Sequence, residues 1–138
     1  MTVPIVDQIR RAFDEWTNHW NSGDTTAYLD AYRDSPDTRY VSGKDILLKG
    51  KDAIVQHFVS RGGAAGRLSL INFEVEPMSQ MDALVFGQYK LRVGIGSDGD
   101  GGGGSGDESA TMTHTGCFTV HVRRQVDGTW KILSDHSC

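Results

Sequence analysis

The stretch TGCFTVHVRRQVDGTWKILSDHS, residues 115–137, decides the fold of this chain. Two runs rich in β-branched and aromatic residues flank Asp127-Gly128, a dipeptide that strongly indicates a β-hairpin. The second run is mainly apolar but ends in an aspartate and a histidine, Asp135 and His136. Ionisable groups in such a strand suggest a sheet that lines a pocket or ends at an edge.

Two registers are open for this hairpin. With a two-residue turn, Thr119 lies opposite His136. With a three-residue loop and a glycine bulge the pairing shifts by one residue, so that Val122 lies opposite Ile132 and Phe118 opposite His136. The second register separates polar from apolar side chains better, and we favour it.

The two ionisable residues point to opposite faces of the strand unless a bulge intervenes, because side chains alternate along a strand. In the favoured register His136 continues the inward line of Trp130 and Ile132, and Asp135 lies on the outer face. The histidine is then either a hydrogen-bonded structural residue or a general acid or base, since its ordinary pKa near 6.5 suits proton transfer. His136 is the predicted catalytic candidate.

Composition indicates one soluble globular domain covering residues 1–138. The chain is 38% hydrophobic and 23% charged, with a net charge of −4, and a chain of this size can bury a substantial core. It shows no basic stripe, so nucleic-acid binding is not expected. Arg123-Arg124 is interpreted as a solvated hairpin end rather than a phosphate site.

The cysteines and the hydropathy pattern narrow the class of protein further. Cys117 and Cys138 are too few for a disulfide framework, and their spacing matches no zinc pattern. We find no signal-peptide run and nothing near the roughly 18 apolar residues of a membrane span. No membrane association is expected, and a cytoplasmic location is predicted.

Hydrophobic periodicity changes along the chain from helical to strand-like. A stripe of apolar residues predicts a first helix over 6–20, Asp24 can cap a second that Ser35-Pro36 ends, and a third is predicted over 52–61. The predicted strands are 38–41, 46–48, 68–76, 83–93, 111–124 and 130–136. Helices followed by a meander of strands indicate an α+β fold.

A glycine-rich segment at about 94–110 separates two of these strands. It lacks the spacing of a phosphate-binding loop. Its acidic residues lack the pattern of an EF-hand, so we predict a flexible hairpin loop rather than a calcium site.

The order of several landmarks resembles the NTF2-like superfamily, within it the SnoaL-like or DUF4440 group. The matching residues are Trp20 to Asp24, Tyr28, Tyr32, Gly50, Thr115-Gly116, Asp127 to Ile132 and Asp135 to Ser137. The resemblance covers nearly the whole chain. Gly23-Asp24, Arg123-Arg124, Gly128 and Trp130 also resemble the association (hub) domain of calcium/calmodulin-dependent protein kinase II.

This resemblance implies a cone: a strongly curved antiparallel sheet wrapped around a long N-terminal helix, with two shorter helices and a pocket at the open end. It also implies self-association through the sheet as a dimer or a larger ring. Members of the superfamily include isomerases, dehydratases and polyketide cyclases as well as binding or assembly domains, so the fold does not assign a chemistry.

A small apolar ligand is the expected partner of such a pocket. The residues predicted to bind it are Trp20, Tyr40, Phe58, Tyr89, Phe118 and His136, although core packing is the alternative for the aromatic ones. His57 is predicted to be exposed, and the acidic residues Asp34, Asp37 and Asp45 fall in turn-like segments where capping explains them. No metal ligand set and no cofactor are predicted.

Three functions follow from these expectations. The first is an oligomeric domain with a mainly apolar small-molecule pocket. The second is an assembly hub, and the third is a small isomerase, dehydratase or cyclase that uses His136 with Tyr40 or Tyr89 as hydrogen-bond donors.

Overall fold

Three helices and six strands make up the fold in a computed structural model that describes residues 3–94 and 111–138. The helices are α1 (Ile5–Asn21), α2 (Thr25–Leu29) and α3 (Lys51–Ser60). The strands are β1 (Arg39–Ser42), β2 (Ile46–Lys49), β3 (Arg67–Pro77), β4 (Asp82–Gly94), β5 (Thr111–Arg124) and β6 (Trp130–Ser137). The segment 95–110, which includes most of the predicted flexible loop and its acidic residues, lies outside the described residues.

Helix α1 forms where its apolar stripe predicts, and buries that stripe against the sheet. Ile9 is fully buried and Phe13 nearly so. The helix ends at a glycine in the left-handed conformation, Gly23, with φ +78°. A side chain at that φ is strained, so glycine suits the position.

Helix α2 is shorter than predicted. Asp24 caps it as expected, with its carboxylate accepting a hydrogen bond from the Ala27 amide at 3.1 Å. The helix ends at Leu29 rather than continuing towards Pro36, because Tyr32 instead forms a parallel bridge with Ile132 of β6. Backbone pairing with the sheet therefore replaces the last predicted turns.

The sheet has the strand order β2-β1-β6-β5-β4-β3 and is curved. Its pairings are antiparallel except that β1 runs parallel to β6. The inner face carries the core together with α1, α2 and α3. The core residues that are fully buried or nearly so include Ile9, Tyr32, Ile54, Val85 and Val122.

The β5–β6 hairpin combines both predicted registers. Next to the loop Val122 pairs with Ile132, as in the three-residue alternative, and Gly128 has the left-handed φ of +88° that a glycine bulge requires. One residue further along β5 the pairing shifts, and Thr119 pairs with His136 as in the two-residue alternative. Leu133 is the extra residue of the β-bulge that joins the two halves.

No helix within residues 3–94 and 111–138 is both long and apolar enough to cross a bilayer.

Candidate functional site

A cavity of about 210 Å³ lies between α1 and the inner face of the sheet. Most of its wall is aromatic or aliphatic: Phe13, Trp16, Trp20, Tyr28, Ala31, Tyr40, Phe58, Leu68, Leu70, Tyr89, Leu91, Phe118, Val120 and Ile132. The polar lining residues are Thr17, Ser42, Asp135 and Ser137. Such a wall offers a ligand mainly apolar contact and a few oriented polar groups.

Five of the six residues predicted to bind a ligand line this cavity. They are Trp20, Tyr40, Phe58, Tyr89 and Phe118. No pattern in the sequence indicates that α3 and β4 face the same space, but the periodicity of each element predicts that these rings lie on its inward face. Whether they contact a ligand stays a prediction.

The rings pack mainly edge to face at the α1–α2–α3 side of the cavity. Trp20 and Tyr28 have ring centroids 4.9 Å apart at 75°, and Tyr40 and Phe58 are 5.3 Å apart at 62°. The indole of Trp20 also donates a hydrogen bond to the Ala65 carbonyl at 3.1 Å. This packing limits the rotamers that the wall can adopt without a ligand.

The polar end of the cavity is built around the carboxyl group of Asp135, which is 8% exposed. Oδ2 accepts a hydrogen bond of 2.6 Å from the Tyr32 hydroxyl, and Oδ1 accepts one of 2.9 Å from the Ser137 hydroxyl. Tyr32 is 1% exposed and holds the carboxyl group from the core side. Each carboxyl oxygen thus has one protein donor and further lone pairs for a ligand.

The position of Tyr32 follows from the backbone around it. Its bridge to Ile132 is flanked by two hydrogen bonds, Arg33 N to the Ile132 carbonyl at 2.9 Å and Ile132 N to the Ala31 carbonyl at 2.8 Å. Lys51 Nζ adds a 2.9 Å hydrogen bond to the Tyr32 carbonyl. The tyrosine that supports Asp135 is therefore held in place by both β6 and α3.

Burial raises the pKa of Asp135 above its ordinary value, although hydrogen bonds from Tyr32 and Ser137 work in the opposite direction. Burial also raises the pKa of Tyr28, Tyr32 and Tyr40, and the nearby Asp135 charge adds to each shift. The phenols therefore remain protonated donors at neutral pH. The carboxyl group can exist in both protonation states closer to neutrality than an exposed aspartate.

Strands β1 and β6 place a second pair of hydroxyl groups beside this carboxyl group. Because these strands are parallel, Tyr40 lies next to Asp135 and Ser42 next to Ser137. All four residues line the cavity. The result is a polar row along one strand junction, opposite a wall of rings.

The predicted orientation of the Asp135-His136 pair was wrong. His136 is exposed on the outer face, opposite Thr119, and Asp135 faces the cavity. The bulge at Leu133 reverses the alternation beyond Ile132. A signal was present in the sequence: the doublet Ile132-Leu133 interrupts an otherwise alternating strand, as a bulge does.

Other candidates fall where their local sequence suggests, with one exception. Asp34, Asp37 and Asp45 are exposed in bends or turns. His57 is half-buried rather than exposed, with its ring 5.7 Å from that of Tyr40, because α3 packs over β1. Burial, together with Arg61, lowers the pKa of His57, which favours its neutral form.

Comparison with known proteins supports the fold. No protein-family model and no curated protein matches the chain. Among solved structures, an NTF2-like protein of unknown function from Shewanella oneidensis is 24% identical, with a TM-score of 0.77 over 96% of this chain and 97% of that one.

Two further similar structures carry functional descriptions. A Xanthomonas campestris protein provisionally described as a calcium/calmodulin-dependent protein kinase II association domain is 16% identical, with a TM-score of 0.73 over 98% of this chain and 87% of that one. A Novosphingobium aromaticivorans protein provisionally described as a scytalone dehydratase is 14% identical, with a TM-score of 0.75 over 96% and 81%.

The curved sheet closed by helices around a cavity defines an α+β cone. The particular cone is the NTF2-like fold, as the sequence resemblance predicts.

Proposed function

We propose that this protein binds a small, mainly apolar molecule in the cavity, with one oxygen of that molecule directed at Asp135. The buried carboxyl group at the polar end of an aromatic cavity is the observation that carries this proposal. A buried ionisable group is unfavourable unless it is paired, and in a cleft it is a frequent mark of function. Tyr40 offers a hydroxyl group beside it.

The cavity volume limits the size of the ligand. An engineered apolar cavity of about 150 Å³ holds benzene. At about 210 Å³, the cavity suits a molecule of one or two rings with a single carbonyl or hydroxyl group. A four-ring molecule exceeds this volume.

Ligand binding can be followed by the fluorescence of Trp16 and Trp20, which line the cavity. We expect one-ring and two-ring ketones or phenols to change this fluorescence on titration, and Asp135→Asn to weaken their binding about tenfold or more. The matched control is His136→Ala, which removes the neighbouring residue on the outer face and should leave affinity unchanged. Equal affinity of the ketone and its parent hydrocarbon would contradict the proposal.

Proton transfer is the second candidate function, favoured by the raised pKa of the Asp135 carboxyl group. As a carboxylate, Asp135 can accept a proton from the carbon next to a bound carbonyl and return it to another carbon of the same molecule. A hydroxyl of Tyr40 or Tyr28 can stabilise the enolate oxygen. Asp135 replaces His136 as the acid-base residue in this alternative.

Exchange of carbon-bound hydrogen for deuterium, read by NMR on cyclic ketones in D₂O, tests the second candidate directly. Wild-type protein should accelerate exchange, and Asp135→Asn should abolish the acceleration. Exchange that persists in Asp135→Asn and disappears in His136→Ala would restore the histidine as the acting group.

Self-association through the outer face of the sheet is a further part of the proposed function. Phe86 on β4 is 38% exposed and Ile71 on β3 is 44% exposed there. On the same face, Asp82 Oδ1 accepts a hydrogen bond of 2.8 Å from Arg123 Nε and lies 2.8 Å from His121 Nε2. Apolar side chains on the same face as paired charges suit a specific interface.

Native mass measurement at micromolar concentration separates the alternatives. A dimer fits pairing of sheets, and a larger ring fits the hub alternative. Phe86→Glu should yield monomer, whereas Leu47→Glu, at an exposed apolar position on β2, should not. A monomer in the wild type would rule out both forms of association.

A further inference from the structure

The two cysteines of the chain lie directly opposite each other, although they are 21 positions apart in the sequence. The β5–β6 pairing of Phe118 with Ser137 continues by one residue, because the Cys138 amide donates a 3.0 Å hydrogen bond to the Cys117 carbonyl. The sulfur of Cys138 lies 3.6 Å from that same carbonyl oxygen.

Both thiols lie on the outer face of the sheet. Phe118 and Ser137 line the cavity, so their neighbours Cys117 and Cys138 point the other way. Both cysteines are free and exposed. Small-molecule disulfides can therefore reach either sulfur.

The backbone geometry suits a bond between the two sulfurs. Directly opposed, hydrogen-bonded residues of an antiparallel pair have Cα atoms about 5.5 Å apart. This lies inside the range of about 4.4–6.8 Å found for disulfides. The Cβ atoms of a hydrogen-bonded pair lie up to about 5.5 Å apart, against about 3.5–4.5 Å in a disulfide, so a small shift is needed. Cys138 lies beyond the end of β6 and can supply it.

We propose that Cys117 and Cys138 form a reversible cross-strand disulfide in the presence of a low-molecular-weight disulfide such as glutathione disulfide. One protein thiolate attacks the oxidant, forms a mixed disulfide and releases one glutathione thiolate. The second protein thiolate attacks the mixed disulfide at the protein sulfur and releases the other. Two protein thiols are oxidised, and one glutathione disulfide is reduced to two glutathione molecules.

The crosslink reinforces one wall of the cavity. The Cys138 carbonyl accepts a 3.0 Å hydrogen bond from the hydroxyl of Tyr89, and Ser137, next in the chain, donates to Asp135. In the reduced protein, this end of the wall relies on hydrogen bonds, of which that to Tyr89 is exposed. Oxidation fixes Ser137 beside Phe118 and should slow ligand release, a consequence that rests on the proposed function.

The first test uses the full 138-residue chain equilibrated with glutathione disulfide, then alkylated and weighed by mass spectrometry under denaturing, non-reducing conditions. We expect loss of two hydrogens, no alkylation and full reversal by dithiothreitol. Cys117→Ser and Cys138→Ser should each give one glutathione adduct instead. Predominant double adducts or chain-to-chain dimers in the wild type would overturn the proposal.

The second test measures thermal unfolding and needs no ligand. The disulfide closes a loop spanning residues 117–138, and the oxidised protein should melt roughly 5–10 °C above the reduced protein. Neither serine variant should show the shift. An intramolecular disulfide that leaves the melting temperature unchanged or lowers it would refute the claim that the bond reinforces the cavity wall, whether or not a ligand binds.

Discussion

Asp135 is held by donors on both carboxyl oxygens while its surroundings are largely aromatic. Tyr32 and Ser137 compensate part of the cost of burying the group, and burial still raises its pKa. This balance leaves the carboxyl group available to a ligand oxygen from the cavity side. This environment supports the proposed role of Asp135 in recognition or proton transfer.

The raised pKa of Asp135 predicts the direction in which the free energy of unfolding changes with pH. The folded protein holds the Asp135 proton more tightly than the unfolded chain does, so its contribution favours folding at low pH and is lost as pH rises through the raised pKa. Relative to Asp135→Asn, the wild type should lose free energy of unfolding as pH rises from the ordinary aspartate value of about 4 through the raised pKa. Denaturant titration across this range measures the difference between the two proteins.

Asp82 is a control because its pKa shift has the opposite direction to that of Asp135. Burial works to raise its pKa, but hydrogen bonds from Arg123 and His121 outweigh burial, and the pKa is lowered. Its stabilising contribution is present above the ordinary value and is lost as pH falls. The difference in free energy of unfolding between the wild type and Asp82→Asn should therefore become smaller at low pH. If this difference changed with pH in the same way for Asp82→Asn and Asp135→Asn, both assignments would be contradicted.

The hydroxyl group of Tyr32 has a structural role that can be separated from its ring. Tyr32→Phe removes the 2.6 Å hydrogen bond to Asp135 and should cost about 1–3 kcal/mol in unfolding free energy. It should also raise the pKa of Asp135 further, because this hydrogen bond lowers it. Tyr89→Phe, which removes an exposed hydrogen bond, should lower the unfolding free energy by less. An equal loss for the two variants would contradict a larger stabilisation by the buried hydrogen bond.

At the scale of elements, strand β6 shows which structural features sequence patterns can and cannot predict. The hairpin, its glycine and the inward line up to Ile132 followed from turn chemistry and alternation. The inward position of Asp135 did not, because a bulge changes the count by one residue and its energy depends on partners far away in the sequence. Tyr32, which ends up beside Asp135, is 103 positions away.

Helix α2 was overestimated for a related reason. Its apolar periodicity continues past Leu29, but the backbone there gains pairing with β6 instead. Tertiary pairing overrides local propensity in such short segments. The cavity's aromatic residues were easier to predict, because each lies on the inward stripe of a regular element.

Gly116 on β5 allows the chain after β6 to approach closely. A Cβ atom there would lie 1.7 Å from the Cys138 carbonyl oxygen and 2.7 Å from a ring carbon of Tyr89. Gly116→Ala should lower unfolding free energy by about 1–3 kcal/mol and weaken ligand binding. Gly94→Ala, which meets no atom within 4 Å, is the control in denaturant titration, and equal stability of the two variants would contradict the close approach.

At the scale of the whole molecule, α1 closes the concave side of the sheet. Ile9 is fully buried in the core. Phe13 packs edge to face on Phe73 with ring centroids 5.0 Å apart, and stacks on Phe118 with ring centroids 6.3 Å apart. One helix therefore contributes both to the core and to the cavity wall. Folding of the core and formation of the cavity depend on the same contacts.

Ile9→Ala tests this dependence. Truncation at a fully buried position should cost about 2–5 kcal/mol, whereas Asp14→Ala on the exposed side of α1 should cost little. Both are measured by denaturant unfolding. A small loss for Ile9→Ala would mean that α1 contributes less to stability than its burial indicates.

The bulge at Leu133 decides which ionisable side chain of β6 faces the cavity. A slip of the strand by one residue beyond Ile132, with Leu133 taken into the ladder, would restore unbroken alternation along β6. The carboxyl group of Asp135 would then leave the cavity, and the imidazole of His136 would enter it. The same strand thus encodes two alternative chemistries, a carboxyl group in the observed register and an imidazole in the slipped one.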